Sequence, residues 1–155
     1  NDALLAAGIA TVYAAGNSGS RCASMGFPGG FKNVLSVAAL AYNSKTEIAY
    51  FSSRGPVTGE TYVKPDVSAP GQNITSCARF GTGYVRMSGT SMATPAVSGV
   101  VALLMSAKPE FIGNPEETFV KIKATSTPIP NKDCNTPQEH PNYVFGYGLV
   151  DASQF

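Results

Sequence analysis

The stretch Gly89-Thr90-Ser91-Met92-Ala93-Thr94-Pro95 runs directly into Ala96-Val97-Ser98-Gly99-Val100-Val101-Ala102-Leu103-Leu104-Met105, and this junction limits the possible folds more than any other feature. A run apolar nearly all round predicts a helix buried inside a domain rather than one lying on its surface. It should begin at Ser91, reach Ala107 and stop before Pro109. Gly89 lets the chain enter tightly, and Pro95 lacks an amide near the first turn, where little is lost. Ser91 then stands on a rigid mount where free amides and the positive end of the helix dipole can stabilise an oxyanion. A serine in this position is ordinarily only an N-cap, so a nucleophilic role needs support from elsewhere in the chain.

Support comes from the amino-terminal end. Ala3 to Ala7 reads as the tail of an apolar helix ended by Gly8. Ile9-Ala10-Thr11-Val12-Tyr13-Ala14-Ala15 follows as a continuous apolar run, the pattern of a parallel strand covered on both faces. Gly16-Asn17 falls at its carboxyl end, where open α/β sheets bind ligands, so Asn17 can direct its side-chain amide into a cleft. The alternative is an asparagine that serves a left-handed turn.

Further strands are expected at Val34 to Leu40, Glu47 to Ser53, Lys64 to Gly71 and Ile74 to Cys77, with a hairpin or loop over Phe80 to Met87. A second helix should begin at Pro115, with Glu116 and Glu117 in its first turn and Phe119, Val120 and Ile122 on its apolar face. Thr125 to Asn142, rich in proline and asparagine, reads as an exposed loop, and Asp151-Ala152 as the start of a terminal helix. The expected class is α/β, a mainly parallel sheet covered by helices on both faces.

With 155 residues, 43% hydrophobic and 14% charged, the chain suits one globular core and is too apolar for disorder. A formal net charge of +1 with scattered charges offers no basic stripe for nucleic acid. No uninterrupted apolar run predicts a membrane span. Cys22, Cys77 and Cys134 lie too far apart for a zinc or thioredoxin-type pair; two can bridge, and the sequence does not say which. Asn73-Ile74-Thr75 fits a glycosylation acceptor.

Gly-Thr-Ser-Met-Ala-Thr-Pro closely resembles the nucleophile motif of the subtilisin-like serine proteases, the subtilases. Val12-Tyr13-Ala14-Ala15-Gly16-Asn17-Ser18-Gly19 resembles that family's strand and loop ending in the oxyanion-hole asparagine. The likeness continues through Phe51-Ser52-Ser53-Arg54-Gly55-Pro56, Lys64-Pro65-Asp66-Val67-Ser68-Ala69-Pro70-Gly71 and Gly146-Tyr147-Gly148-Leu149-Val150-Asp151-Ala152, and is greatest to secreted microbial members. It implies that Ser91 is the nucleophile of a serine endopeptidase and Asn17 its oxyanion donor. Ala14, Ala15 and Gly16 would form one wall for the residue before the scissile bond, the region from Gly26 to Gly29 the other, and Thr90 joins the substrate-binding residues. Glycine there leaves room for a large apolar side chain. The resemblance gives Arg54 and Asp66 structural roles. Ala96 departs from the family's usual histidine, a change that concerns packing.

A serine nucleophile needs a base, normally a histidine held by a carboxylate. In the resembled family both precede the oxyanion asparagine, in Asp-Ser/Thr-Gly and His-Gly-Thr motifs, and neither motif occurs here. Asp2 and His140 are poorly placed to substitute. Residues 1–155 are therefore expected to be the carboxyl-terminal part of one subtilase-like peptidase domain, an incomplete half-domain. Its partners would be the amino-terminal half and a peptide or protein substrate, and the isolated piece should be inactive and poorly soluble. The resemblance implies a secreted or cell-surface protein, no cofactor for the chemistry, and a possible structural calcium whose ligands the sequence does not reveal. Two other readings compete. Ser91, Asp133 and His140 have the order of an α/β-hydrolase triad, but Ala93 replaces the last glycine of the required turn. The other is a non-catalytic subtilase-fold protein.

Overall fold

A computed structural model describes all 155 residues. The element order is α1 (Asp2–Ala6), β1 (Val12–Ala14), β2 (Leu35–Leu40), β3 (Val67–Pro70), β4 (Ile74–Cys77), β5 (Tyr84–Met87), α2 (Thr90–Ala107) and α3 (Pro115–Thr125), with short 3-10 turns after α2 and near the carboxyl end. Strands β1, β2 and β3 form a parallel sheet in that order, with Val12 opposite Leu35 and Val37 opposite Val67. Strands β4 and β5 make a separate antiparallel hairpin.

Central strand β2 is buried along its whole length, which explains its unbroken apolar and small-residue run. Its alternating side chains divide two environments. Leu35, Val37 and Ala39 join Val67 and Ala69 against Ala93, Val97, Val101 and Leu104 of α2 and Phe119 and Ile122 of α3. On the opposite face Leu40 packs with Ile129, Val144 and Phe145, while the Ser68 hydroxyl donates to the Phe145 carbonyl (2.9 Å). The α/β class and the parallel sheet stand. Within these residues, however, the second face is covered by the irregular Tyr143–Phe145 segment, and the helices lie on one face only.

Helix α2 spans Thr90–Ala107, as its sequence requires, but is not enclosed all round. Ala93, Val97, Val101 and Leu104 recur at helical spacing and are buried, whereas Leu103 is 58% exposed. The helix is long and apolar enough to cross a membrane by length and composition, yet its buried stripe packs on the sheet. Strand β1 is likewise half-buried and at the sheet edge, not covered on both faces as its sequence suggested.

Glu47 to Ser53 is not a regular strand. It pairs irregularly with the end of β2, where β1 has already stopped: the Ala41 amide donates to Glu47 and the Ala49 amide to Ala39. The expected terminal helix is one 3-10 turn, Ala152–Gln154, whose Ser153 amide donates to Asp151. Nor is Thr125 to Asn142 exposed throughout. Ile129 is core, and fully buried Asn142 donates to the Ile129 and Glu139 carbonyls while accepting from the Val144 and Phe145 amides.

Asp66 is structural. Its carboxylate accepts from the Ser36 amide (2.7 Å) and the Lys64 ammonium, which also donates to the Val34 carbonyl (2.7 Å). Burial pushes the Lys64 pKa below its ordinary value, and Asp66 opposes that shift. Cys22 and Cys134 form a disulfide across 112 positions, leaving Cys77 free and exposed on β4.

Candidate active site

The site begins where β1 ends. Gly16 adopts φ 111°, a conformation that favours glycine, and so turns the chain without using Asn17 for that purpose. Asn17 is not among the left-handed residues, which removes the turn explanation for it. The turn is braced by Ser53, whose amide donates to the Gly16 carbonyl (2.9 Å) and whose hydroxyl accepts from the Ser18 amide (3.0 Å).

From this turn Asn17 reaches the start of α2. Its Oδ1 accepts from both the Thr90 amide (2.9 Å) and the Thr90 hydroxyl (3.0 Å). The same hydroxyl accepts from the Gly16 amide at 3.3 Å. An amide oxygen holding two donors fixes the orientation of the whole group, so Nδ2 points away from Thr90, close to Gly89: a Cβ built on that glycine would sit 3.6 Å from it. Thr90 is itself fully buried. Its hydroxyl is spent on Asn17 and Gly16, which makes it a positioning residue for the asparagine.

Ser91 is exposed, the second residue of α2. Gly89 occupies the cap position and has no side chain to cap with, the first amide of the helix being taken by Asn17 instead, so Ser91 is not an N-cap. Its hydroxyl makes no hydrogen bond within the chain. Pro95 is the sixth helical residue, and the amide it lacks is the one that would have reached the Ser91 carbonyl. Val12, Tyr13, Ala14, Ser91, Thr94, Pro95 and Ser98 line an open groove of about 320 Å³. Larger cavities lie elsewhere, one of about 470 Å³ among Asp2, Glu116 and Glu117, away from any nucleophile.

The other predicted residues come together on the far side of the turn. The Gly26 amide donates to the Ala15 carbonyl at 2.8 Å, and a Cβ on Gly29 would stand 2.3 Å from the Ala14 carbonyl oxygen. Ala14, Ala15 and Gly16 thus pack directly on Gly26 and Gly29, backbone on backbone, so the two segments form one continuous surface and not two walls with a gap between them. Asp133 and His140 join neither Ser91 nor each other by a hydrogen bond. Asp133 pairs with Arg54 (3.6 Å), and His140 Nε2 lies 3.0 Å from the Tyr147 carbonyl. The Phe-Ser-Ser-Arg-Gly-Pro string contains Ser53, but nothing in its local sequence marks that residue as the brace of a turn 35 positions away.

The family model described as the subtilase family (peptidase S8) matches residues 2–148. The chain belongs to the subtilase family. Among subtilase relatives, serine protease AprX of Bacillus subtilis (strain 168) is 37% identical over 94% of this chain and 35% of its own length. A thermostable alkaline protease of Halalkalibacterium halodurans is 36% identical over 96% of this chain and 34% of its own. Two solved structures, the prenylagaramide maturation protease PagA and sphericase, each superpose with a TM-score of 0.72 at 30% identity. They cover 94% and 92% of this chain, which in turn covers 49% and 48% of them. The chain therefore spans about a third of the length of these curated subtilases and about half of these solved structures.

Proposed function

We propose that this chain is the carboxyl-terminal part of the catalytic domain of a serine endopeptidase. The observation that carries this reading is the orientation of Asn17: two Thr90 donors occupy its oxygen and leave its NH2 group free beside the helix that bears Ser91. In the proposed reaction a base removes the Ser91 proton as Oγ bonds to the substrate carbonyl carbon. Negative charge moves to the carbonyl oxygen, where the Asn17 Nδ2 and Ser91 amides donate to it. Collapse breaks the peptide bond and the departing amine takes the proton; water then hydrolyses the acyl-serine, restoring the hydroxyl.

The base and its carboxylate are assigned to an upstream half of the same domain. Within the chain, His140 and Asp133 are engaged elsewhere and Ser91 Oγ has no proton acceptor. The exposed side of α2, with Leu103, and the free edge of β1 are the surfaces assigned to that half; Ile9 just before β1 is 49% exposed. The stripe Ala93, Val97, Val101 and Leu104, packed on the sheet, supports reading α2 as a core helix, not a membrane span. Ala14–Gly16 and Gly26–Gly29, packed backbone on backbone, are assigned together to one side of the site for the substrate residue before the scissile bond. No cofactor enters any step. The Cys22–Cys134 disulfide supports a secreted or cell-surface location.

The test is hydrolysis of a chromogenic peptide by the full-length protein and its Ser91→Ala variant. Loss of turnover in the variant is expected. Equal turnover by both rejects the reading, and a full-length protein that binds peptide without cleaving it favours the non-catalytic subtilase-fold alternative.

A further inference from the structure

The Ser18–Met25 loop separates the proposed oxyanion residue from the Gly26–Gly29 wall, and it is tied down from outside. Cys22 near its middle is bonded to Cys134, 112 positions away. Beside the bridge the Ala23 amide donates to the Gly55 carbonyl and the Ser24 amide to the Arg54 carbonyl, both at 2.9 Å. Ser24 Oγ accepts from the Arg54 amide at 3.0 Å. The Arg54 guanidinium in turn pairs with Asp133, the neighbour of Cys134. A disulfide and three hydrogen bonds thus converge on one short loop, and an ion pair joins the two segments that hold it.

Backbone geometry at this junction shows what the ties hold. Ala23 (φ 56°), Cys134 (φ 65°) and Asn135 (φ 53°) are left-handed without being glycine. Alanine and cysteine are disfavoured there and persist only where surrounding structure over-determines them. Two residues beyond Ser24 the chain reaches Gly26, whose amide is bonded to the Ala15 carbonyl in the segment that leads to Asn17. Cys22 is exposed, so the bridge is open to reagents in solution.

We propose that the Cys22–Cys134 bridge is a positioning clamp for the substrate cleft, closed when oxidised and slackened when a dithiol opens it. This inference rests on the proposed protease reading for its kinetic consequence. Opening proceeds by thiol–disulfide exchange: the S–S bond breaks and thiols form on Cys22 and Cys134. The two electrons and two protons come from the dithiol, which closes to its own disulfide. Once released, the left-handed residues relax and Gly26 moves relative to Ala15. Substrate binding weakens, while Ser91, mounted on α2, keeps its place.

The experiment uses the full-length protein, oxidised and after dithiothreitol treatment, with kcat and KM measured on one peptide substrate and exchange of the Gly26 amide followed by mass spectrometry. Opening the bridge should raise KM about fivefold or more with kcat within about twofold. Gly26 exchange should accelerate, and reoxidation should restore both. Cys22→Ala/Cys134→Ala should show the raised KM before treatment and no further response to the dithiol, which separates the bridge from any other thiol, including Cys77. An unchanged KM with a lowered melting temperature would reduce the bridge to a stabiliser and overturn the proposal. If the oxidised protein neither hydrolyses peptides nor reacts with a fluorophosphonate, the protease reading fails on its own. The clamp is then decided by Gly26 exchange: acceleration supports it, and no change overturns it.

Discussion

Two glycines assigned to the substrate site should respond differently to the same added methyl group. At Gly29 a Cβ would stand 2.3 Å from the Ala14 carbonyl oxygen and 3.1 Å from its carbon, about 1 Å inside ordinary contact, which begins near 3.4 Å. That carbonyl cannot retreat freely, because Ala14 is paired with Val37 in the parallel sheet and the Ala15 amide donates to the Val37 carbonyl. At Gly26 the nearest atoms are the Ala15 oxygen at 3.5 Å and the Gly16 Cα at 3.6 Å, so a methyl group fits. Overpacking of the first kind costs about 1–3 kcal/mol of stability. A displacement of about 1 Å beside reacting groups can cost about 100-fold in rate. In the full-length protein Gly29→Ala should therefore lower the melting temperature and cut kcat/KM about 100-fold for every substrate. Gly26→Ala should leave melting nearly unchanged and discriminate only against large side chains before the scissile bond, by about 10-fold or more. Calorimetry and kcat/KM on phenylalanyl and alanyl peptides decide the matter. A Gly26→Ala protein less stable than Gly29→Ala, or equal losses on both peptides for both variants, would refute the geometric reasoning.

Three further outcomes are expected. Asn17→Leu should lower kcat about 100- to 1,000-fold with little change in KM, a range known for a subtilisin's oxyanion asparagine rather than worked from this structure; steady-state kinetics check it. Lys64→Met leaves the buried Asp66 carboxylate with Ser36 and a Lys123 ammonium 3.9 Å away, and should cost about 3–5 kcal/mol in a denaturant titration. The isolated 155-residue chain should self-associate and lack peptidase activity, and a separately produced upstream half should restore both solubility and turnover. A monomeric, cooperatively melting isolated chain, seen by light scattering and calorimetry, would contradict that.

The parts legible in the sequence were those whose chemistry is written in consecutive residues. The turn from Gly89 into an apolar run marks α2 and Ser91 together, and the strand ending in Gly16-Asn17 marks the second half of the site. What stayed hidden depends on contacts distant in the chain. Glu47 to Ser53 has strand-like composition, yet it only completes the end of β2 beyond Ala14, a register set by where β1 stops. Thr90 reads as one more residue of the motif until its 73-position reach to Asn17 is seen. Three cysteines allow several pairings, and only the approach of Cys22 to Cys134, with Cα atoms 5.3 Å apart, selects one. The apolar circumference of α2 predicted enclosure, while these residues cover just the stripe from Ala93 to Leu104.

The most direct test of the central claim is reaction of the full-length protein with a fluorophosphonate, followed by peptide mapping of the adduct. An activated serine beside oriented amide donors predicts a single phosphonylated residue, Ser91, with labelling slowed sharply in Asn17→Leu and abolished in Ser91→Ala. An unlabelled Ser91 in a folded full-length protein, or an adduct on another serine that survives Ser91→Ala, would contradict the account.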